Sequence, residues 1–204
     1  MIDKLRLNAR KPNEDEYGIG MLNRMNLRHK EMAAWGLGHI EIESCENILD
    51  VGCGGGQNIA DMLKKAPNAK LWGIDYSKAS VKRSIEVNED AVKSGKAEII
   101  EGSAESLPFE DDNFDAVTAF ETVYYWPNIV NCFKEVLRTL KDGGVFLICN
   151  EDGSEKGHEE IKEVLSMNFY NENELCDLML KAGFKKAEGF LNENGSWICA
   201  VGTK

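Results

Sequence analysis

The stretch that decides the fold of this chain is Ile48-Leu49-Asp50-Val51-Gly52-Cys53-Gly54-Gly55-Gly56-Gln57-Asn58-Ile59. Its first four residues predict a short buried strand, its glycines predict a tight turn, and the apolar pattern that begins at Ile59 predicts a helix. Glycine is needed in such a turn because a Cβ would block both the backbone dihedrals and the close approach of a ligand. A strand, a glycine turn and a helix in this order form the entry unit of a nucleotide-binding α/β domain.

The spacing of the glycines narrows the class of ligand. A dinucleotide fingerprint that starts at Gly52 requires glycine at position 57, which is Gln57, and one that starts at Gly54 requires glycine at position 59, which is Ile59. The turn also lacks the Gly-Lys-Ser/Thr sequence of a phosphate-binding loop. The sequence therefore disfavours a nicotinamide-dependent oxidoreductase and a P-loop nucleotide-binding protein.

A second acidic residue follows the turn at the distance expected of a ribose-binding group, about 20 residues. The segment Leu71-Trp72-Gly73-Ile74-Asp75 predicts an apolar strand that ends in a carboxylate. In nucleoside-binding sheets this carboxylate accepts hydrogen bonds from the ribose hydroxyls. The chain thus combines a predicted ribose site with no pyrophosphate site, and an adenosine derivative without a diphosphate, such as S-adenosylmethionine, fits that combination.

Five segments between about residues 46 and 150 resemble, in order and spacing, those of the class I S-adenosylmethionine-dependent methyltransferases. They are Asp50-Val51-Gly52-Cys53-Gly54-Gly55-Gly56, Gly73-Ile74-Asp75-Tyr76-Ser77, Gly102-Ser103-Ala104-Glu105-Ser106-Leu107-Pro108-Phe109, Phe114-Asp115-Ala116-Val117 and Leu140-Lys141-Asp142-Gly143-Gly144-Val145-Phe146. The chain looks most similar to the branch that includes ubiquinone- and menaquinone-type enzymes. The resemblance implies a Rossmann-like, doubly wound α/β fold with a seven-stranded, mostly parallel sheet and an antiparallel C-terminal strand. It also implies S-adenosylmethionine as cofactor, S-adenosylhomocysteine as product and a small-molecule methyl acceptor.

The alternation of strand and helix patterns indicates one domain over residues 1–204 with helices on both faces of a parallel sheet. We expect a helical cap over residues 1–40, the cofactor-binding core over 46–150, a lid over 151–170, and a helix with a strand pair over 171–204. Strands are predicted near 46–51, 70–75, 97–101, 114–120 and 144–150, with a turn at 141–144 before the last of them. Helices are predicted near 57–66, 78–94, 128–140 and 171–182.

The cofactor-site candidates lie at the carboxyl ends of the predicted strands, where ligands of such sheets bind. The turn, through Gly52, Cys53 and Gly54, and the helix N-terminus after it suit the carboxylate of the methionine moiety. Asp50 is a candidate for ordering the turn or for meeting the ammonium group of that moiety. Cys53 has two interpretations, a reactive thiol or simply a small residue within the turn.

The remaining cofactor candidates follow the second, third and fourth strands. Asp75 is assigned to the ribose hydroxyls, and Tyr76 to the face of the adenine. The family resemblance implies that Ser103, Ala104 and Glu105 contact the adenine edge and that Glu121 lies near the amino-acid portion of the cofactor. Asp50 as a turn cap and Glu105 as a solvated loop charge are the ordinary alternatives for those two acids.

The acceptor site is harder to identify, because the cofactor supplies the activation and the protein mainly aligns the acceptor and excludes water. Tyr124 follows the fourth strand and is a candidate acceptor contact, with loop packing as its alternative. Tyr17 and His29 are, with Tyr124, the candidate catalytic residues, because they lie in the N-terminal segment, which in relatives folds over the cofactor. His29 is a candidate general base for an acceptor that must lose a proton, and a surface histidine on an amphipathic helix is its alternative.

Composition limits the partners and the compartment. The formal net charge is −11, which disfavours nucleic acid as a substrate. No apolar run reaches the roughly 18 to 20 residues of a membrane span, and no secretory signal is evident. The six cysteines form no Cys-x-x-Cys pair, so we predict reduced thiols, no metal site and a cytoplasmic location. Oligomeric state is left open between monomer and homodimer, and a non-catalytic module that binds S-adenosylmethionine is the alternative function.

Overall fold

The computed structural model describes residues 4–204, and its centre is one seven-stranded sheet. The strands are β1 (Asn47–Val51), β2 (Lys70–Asp75), β3 (Ala97–Glu101), β4 (Phe114–Phe120), β5 (Leu140–Asn150), β6 (Lys186–Leu191) and β7 (Ile198–Thr203). Their order across the sheet is β3-β2-β1-β4-β5-β7-β6. The pairings among β1 to β5 are parallel, whereas β7 runs antiparallel to both β5 and β6. The predicted fold class is therefore confirmed.

Helices connect the strands and cover both faces of the sheet. Two of them precede β1, one follows β1, two follow β2, one follows β4 and two follow β5. Their bounds are α1 (Glu16–Arg28), α2 (Lys30–Leu37), α3 (Gln57–Lys65), α4 (Lys78–Val87), α5 (Glu89–Lys93), α6 (Ile129–Thr139), α7 (Glu159–Leu165) and α8 (Glu172–Ala182). Among the helices of residues 4–204, none has the length and apolar character needed to cross a membrane.

Two apolar cores result from the alternation of side chains along the central strands. On one face Leu49 and Phe146 pack with α6 and α8, which contribute Phe133 and Met179. On the other face Ile48 packs with α2 and α3 in a second cluster. Because neighbouring residues of a strand point to opposite faces, a central strand buried on both faces reads as a nearly continuous apolar run. Burial on both faces holds the central strands in place, and the loops at their carboxyl ends can therefore form a ligand site.

Two local predictions are corrected by long-range contacts. The helix predicted over 78–94 is broken at Asn88, whose buried amide donates hydrogen bonds to the backbone oxygens of Gly56 and Ser84, both at 2.9 Å. The turn predicted at 141–144 lies inside β5, because Lys204 pairs with this segment. The backbone N–H of Lys204 donates to the Gly144 oxygen at 3.0 Å, and the backbone oxygen of Lys204 accepts from the Gly143 N–H at 3.3 Å.

Candidate functional site

The glycine turn leaves β1 at Val51 and enters α3 at Gln57. Gly52 has φ +77°, and a Cβ there would lie 2.3 Å from the Thr122 hydroxyl oxygen. Gly54 has φ +51°, and its Cβ would meet nothing nearer than a backbone oxygen at 4.0 Å. Both positions favour glycine because their backbone is left-handed. Gly52 is also enclosed, whereas the space beside Gly54 is open to a ligand.

A cavity lies at this turn, and we call it the first cavity; it contains about 680 Å³ of space, part of it open to solvent. The N-terminal end of α3 lies against it through Gln57 and Asn58, so the positive end of the helix dipole is close by. The predicted site residues that line it are Gly52, Cys53, Gly54, Asp75, Tyr76, Glu121 and His29.

Asp75 ends β2 and orders the turn as well as lining the first cavity. One carboxylate oxygen accepts from the Gly54 N–H at 3.0 Å, and the other accepts from the Ser77 N–H at 2.9 Å. Burial raises the pKa of Asp75, and these two backbone donors oppose the rise. Each carboxylate oxygen has two acceptor positions, so hydrogen-bonding capacity is left for ligand hydroxyls.

Asp50 lies deeper, outside the lining of the first cavity. Its side chain is buried, and one oxygen accepts from the Thr118 hydroxyl at 2.7 Å. The other oxygen, Oδ2, has no hydrogen-bond partner within residues 4–204. Burial raises the pKa of Asp50 to about 7, and the Thr118 hydrogen bond opposes that rise. Burial also raises the pKa of the Cys53 thiol well above its usual value, which keeps it protonated and favours the interpretation as a small turn residue.

The segment before α1 covers the first cavity. Ala9, Arg10 and Pro12 belong to the lining. The Tyr76 hydroxyl donates to the Arg10 backbone oxygen, and the Ser77 hydroxyl donates to the Pro12 oxygen at 2.8 Å. These contacts attach the N-terminal segment to the loop that follows Asp75.

A second, larger cavity adjoins the first and contains about 1,620 Å³ of space, part of it open to solvent. Its walls come from α1, from the loop after β4, and from the segment 151–170. Tyr124 lies in this lining, together with Ile161, Leu165 and Phe169 of that segment. The Arg10 guanidinium bridges the two covering segments, because it donates to the Leu165 oxygen at 2.9 Å and lies 5.9 Å from the centre of the Tyr125 ring.

Five residues line both cavities: Ala9, Met25, His29, Glu121 and Tyr125. The last three bring polar groups to the junction of the two cavities. His29 joins α1 to α2, and its Nε2 lies 3.9 Å from a Glu121 carboxylate oxygen. Glu121 has φ +55°, a left-handed conformation that is strained for a side chain larger than glycine. Its carboxylate accepts from the Tyr124 hydroxyl at 2.9 Å and from the Glu151 N–H.

The electrostatics of this junction follow from its burial. Burial raises the pKa of Glu121 to about 7, and hydrogen bonds from Glu151 and Tyr124 oppose the rise. Burial lowers the pKa of His29, which favours the neutral imidazole near pH 7. A neutral buried histidine is a competent proton acceptor. The junction therefore holds a base and a carboxylate that face both cavities.

Five predicted residues line neither cavity: Asp50, described above, and Ser103, Ala104, Glu105 and Tyr17. Ser103 and Glu105 are exposed and Ala104 is buried, all in the loop after β3, whose Gly102 N–H donates to the Asp75 backbone oxygen at 3.0 Å. This contact places the loop at the same sheet edge as Asp75. Tyr17 lies on α1 with 39% exposure, and the Lys4 ammonium lies 5.4 Å from its ring centre.

A divalent cation is chemically conceivable at one place in the described chain. His29, Glu121 and Glu151 each offer a ligand atom within 4.8 Å of the others. Glu151, however, is already paired with the Arg28 guanidinium at 2.7 Å, and an adjacent cation disfavours metal binding. The absence of a metal site stays a prediction.

Arg10, Asn26 and Glu151 also line the cavities, and the sequence did not predict them. The Asn26 amide donates to the Gly55 oxygen at 3.0 Å and lines the first cavity. Each of the three reaches the site from a different part of the chain, across sequence separations that no local pattern reveals. A single polar residue outside a recognisable motif carries no spacing signal.

The sheet order, the glycine turn and the acidic residue that ends β2 define a nucleoside-binding α/β domain. The sequence profile of the family described as methyltransferase domain matches residues 42–195. The chain belongs to this methyltransferase family. The resemblance predicted from the five segments is thereby confirmed, while the branch with ubiquinone- and menaquinone-type enzymes stays a prediction.

Two curated relatives show how similar in sequence this chain is to other methyltransferases and how much of their length it covers. Cycloartenol-C-24-methyltransferase 1 of Oryza sativa subsp. japonica is 32% identical over 146 residues, which are 69% of this chain and 41% of that protein. A sterol 24-C-methyltransferase of Aspergillus fumigatus is 32% identical over 119 residues, 58% of this chain and 30% of that protein. The chain thus spans less than half the length of these relatives.

Solved structures share the fold across nearly the whole chain. A chain from the complex that contains the Haloferax volcanii Trm112 methyltransferase activator has a TM-score of 0.80 at 20% identity, covering 100% of this chain and 98% of that one. A SAM-dependent methyltransferase from Aquifex aeolicus has a TM-score of 0.74 at 17% identity, covering 90% and 96%.

Proposed function

We propose that this protein is an S-adenosylmethionine-dependent methyltransferase that transfers a methyl group to a small-molecule acceptor by in-line displacement. The observation that carries the proposal is the junction of two cavities at His29, Glu121 and Tyr125. A methyl donor in the first cavity and an acceptor in the second would meet there. Membership of the methyltransferase family and the sterol-methyltransferase relatives support this reaction and a small-molecule acceptor. A non-catalytic binding module has no need of the second cavity.

The chemistry of the first cavity suits the cofactor, which when bound supplies a methyl group activated by a sulfonium. The open space beside Gly54 lets the methionine moiety approach the backbone, and the N-terminus of α3 favours its carboxylate. Asp75 would accept hydrogen bonds from the ribose hydroxyls, and Tyr76 would pack on the adenine. Asp50 would order the turn from its buried position in β1, directly before the turn.

The adenine edge is assigned to the loop that contains Ser103, Ala104 and Glu105. The support is the position of that loop after β3, next to β2 in the sheet and hydrogen-bonded to the backbone of Asp75. Cys53 contributes small volume within the turn. Glu121 lines both cavities, so from the junction it would face the amino-acid portion of the cofactor on one side and the acceptor on the other.

On the acceptor side, His29 is proposed as the proton acceptor and Tyr124 as an acceptor contact. Residues 1–40 and 151–170 would form a cap and a lid that exclude water during transfer. The bridge from Arg10 to Leu165 and Tyr125 supports this assignment because it ties the two segments together over the cavities. Tyr17 would act only through the stability of the cap.

A pair of glycine variants tests the cofactor assignment. Gly54 and Gly95 both have positive φ and open surroundings, but only Gly54 lines the first cavity. Replacing either with Ala costs about 1 to 2 kcal/mol of stability, because both are left-handed. We expect Gly54→Ala to weaken S-adenosylhomocysteine binding at least about tenfold by calorimetry and Gly95→Ala to leave it unchanged. Equal affinity in both variants would contradict the proposal.

A further inference from the structure

Two carboxyl groups, those of Glu121 and Glu151, and one guanidinium group, that of Arg28, lie at the junction of the two cavities. The Glu121 side chain is 14% exposed, and Glu151 is 22% exposed and paired with Arg28. Within residues 4–204 the nearest cationic candidate to Glu121 is His29 Nε2 at 3.9 Å, and burial lowers the pKa of that imidazole. Glu121 is therefore a largely buried carboxyl group with no salt bridge to a lysine or arginine of the described residues, and the Arg28 charge acts on it only from farther away. Such a group favours a ligand that brings a positive charge to it.

Aromatic rings form the wall of the second cavity beside this carboxyl group. Tyr124 meets Tyr125 edge to face with ring centres 4.6 Å apart, and it stacks on Phe169 at 6.3 Å. The lid adds Ile161 and Leu165 to the same lining. Aromatic faces attract an ammonium group and also accept an apolar body. The exposed arginines Arg24 and Arg28 lie on α1, and Arg28 is neutralised by Glu151.

From the carboxyl group and the aromatic wall we infer that the second cavity binds an organic amine, with its nitrogen at Glu121 and its apolar body against Tyr124, Tyr125 and Phe169, and that this nitrogen is the atom methylated. The inference deepens the proposed function and rests on it. The sterol relatives do not decide the acceptor, because this chain spans only 41% and 30% of their lengths.

With an amine acceptor, one positive charge stays at this junction throughout methyl transfer. A bound ammonium first loses one proton to His29 Nε2, which passes it to solvent. The nitrogen lone pair then forms the new bond to the methyl carbon, and the electron pair of the broken carbon–sulfur bond stays on sulfur. The positive charge thus moves from sulfur to nitrogen and remains in the site. A carboxylate at Glu121 complements a cation both before and after the transfer, which is not the case for a hydroxyl acceptor that releases its proton.

Matched pairs of ligands test the inference on the protein saturated with S-adenosylhomocysteine. The pairs are tryptamine with tryptophol and phenethylamine with phenethyl alcohol, which differ only in the amine and the hydroxyl. Calorimetry should show at least one amine binding about tenfold or more tightly than its alcohol. Glu121→Gln should abolish that preference. Glu98→Gln, an exposed partner of Lys70 that lines neither cavity, should retain it.

The outcomes separate the inference from the proposed function. Binding of S-adenosylhomocysteine without a preference for either amine, or with a preference that survives Glu121→Gln, overturns the amine assignment and leaves the cofactor assignment intact. No binding of S-adenosylhomocysteine contradicts the proposed function instead. A Co²⁺ absorption band that appears in the wild type and disappears in Glu121→Gln would assign the cluster to a metal ion and would also overturn the inference.

Discussion

The substitution Asp50→Asn removes a buried charge while keeping the side-chain volume. Asp50 is 1% exposed, and its Oδ1 accepts the Thr118 hydroxyl hydrogen bond, which an amide oxygen would also accept. Its Oδ2 has no partner in the described part of the chain. Burial raises the pKa of this carboxyl group from an ordinary 3.8 to about 7. Asp50 should therefore make its own contribution to the pH dependence of the free energy of unfolding.

The sign and size of this change in the free energy of unfolding follow from proton linkage. Between pH 4 and pH 7 the folded protein retains a proton on Asp50 that the unfolded chain has lost, so stability falls as pH rises through this window. Each pH unit is worth about 1.4 kcal/mol, which sets an upper limit of about 4 kcal/mol for the whole window. Between pH 5 and pH 8 the loss should be about 2 to 3 kcal/mol, and Asp50→Asn should lack it.

Urea denaturation at pH 5 and pH 8, without cofactor, measures this difference. The free energy of unfolding of the wild type should fall by about 2 to 3 kcal/mol more than that of Asp50→Asn between the two pH values. Asp142→Asn is the control, because the Asp142 side chain is 89% exposed, and it should follow the wild type. If the wild type and Asp50→Asn differ by less than about 0.5 kcal/mol in their pH dependence, the carboxyl group is not buried as described.

Two further substitutions test the site. Asp75→Asn keeps the side-chain volume but replaces one acceptor oxygen with an NH2 group, which can accept neither from ribose nor from the Gly54 or Ser77 N–H that it would face. The affinity for S-adenosylhomocysteine should therefore fall about 5- to 30-fold, or about 1 to 2 kcal/mol, by calorimetry; unchanged affinity in a folded variant would exclude the ribose assignment. Arg10→Gln removes the contacts to Leu165 and Tyr125, so amide hydrogen exchange in residues 158–169 should accelerate while exchange in the central strands stays the same. Equal protection of that segment in both proteins would show that Arg10 does not hold the lid.

The sheet and the cofactor edge were predictable because their signals are local. Each central strand is an apolar run, and the glycine turn needs several glycines within a few residues. The left-handed φ at Gly52 and Gly54 confirms that need. The predicted position of Asp75 at the end of β2 also follows from chain order alone, since the carboxyl ends of parallel strands lie at one sheet edge.

The junction could not be predicted in the same way, because it is made by long-range contacts. Glu151 lies 30 residues from Glu121 and meets it through a backbone N–H. Arg10 reaches Leu165 across 155 residues. In the aromatic run after β4, Tyr124 and Tyr125 face the second cavity, whereas Trp126 stacks on Phe146 in the core. Which aromatic residue faces the site depends on the short 3₁₀ helix Val123–Tyr125. Sequence periodicity does not indicate this helix.

Thermal unfolding with S-adenosylhomocysteine, S-adenosylmethionine and NAD, each added separately, tests the central claim most directly. A ligand at about a hundredfold excess over its dissociation constant adds roughly 2.7 kcal/mol, which corresponds to a rise in Tm of about 5–10 °C for a chain of this size. We expect this rise with both sulfur nucleosides and no change with NAD. A rise with NAD alone, or with none of the three, would contradict the assignment of the first cavity to S-adenosylmethionine.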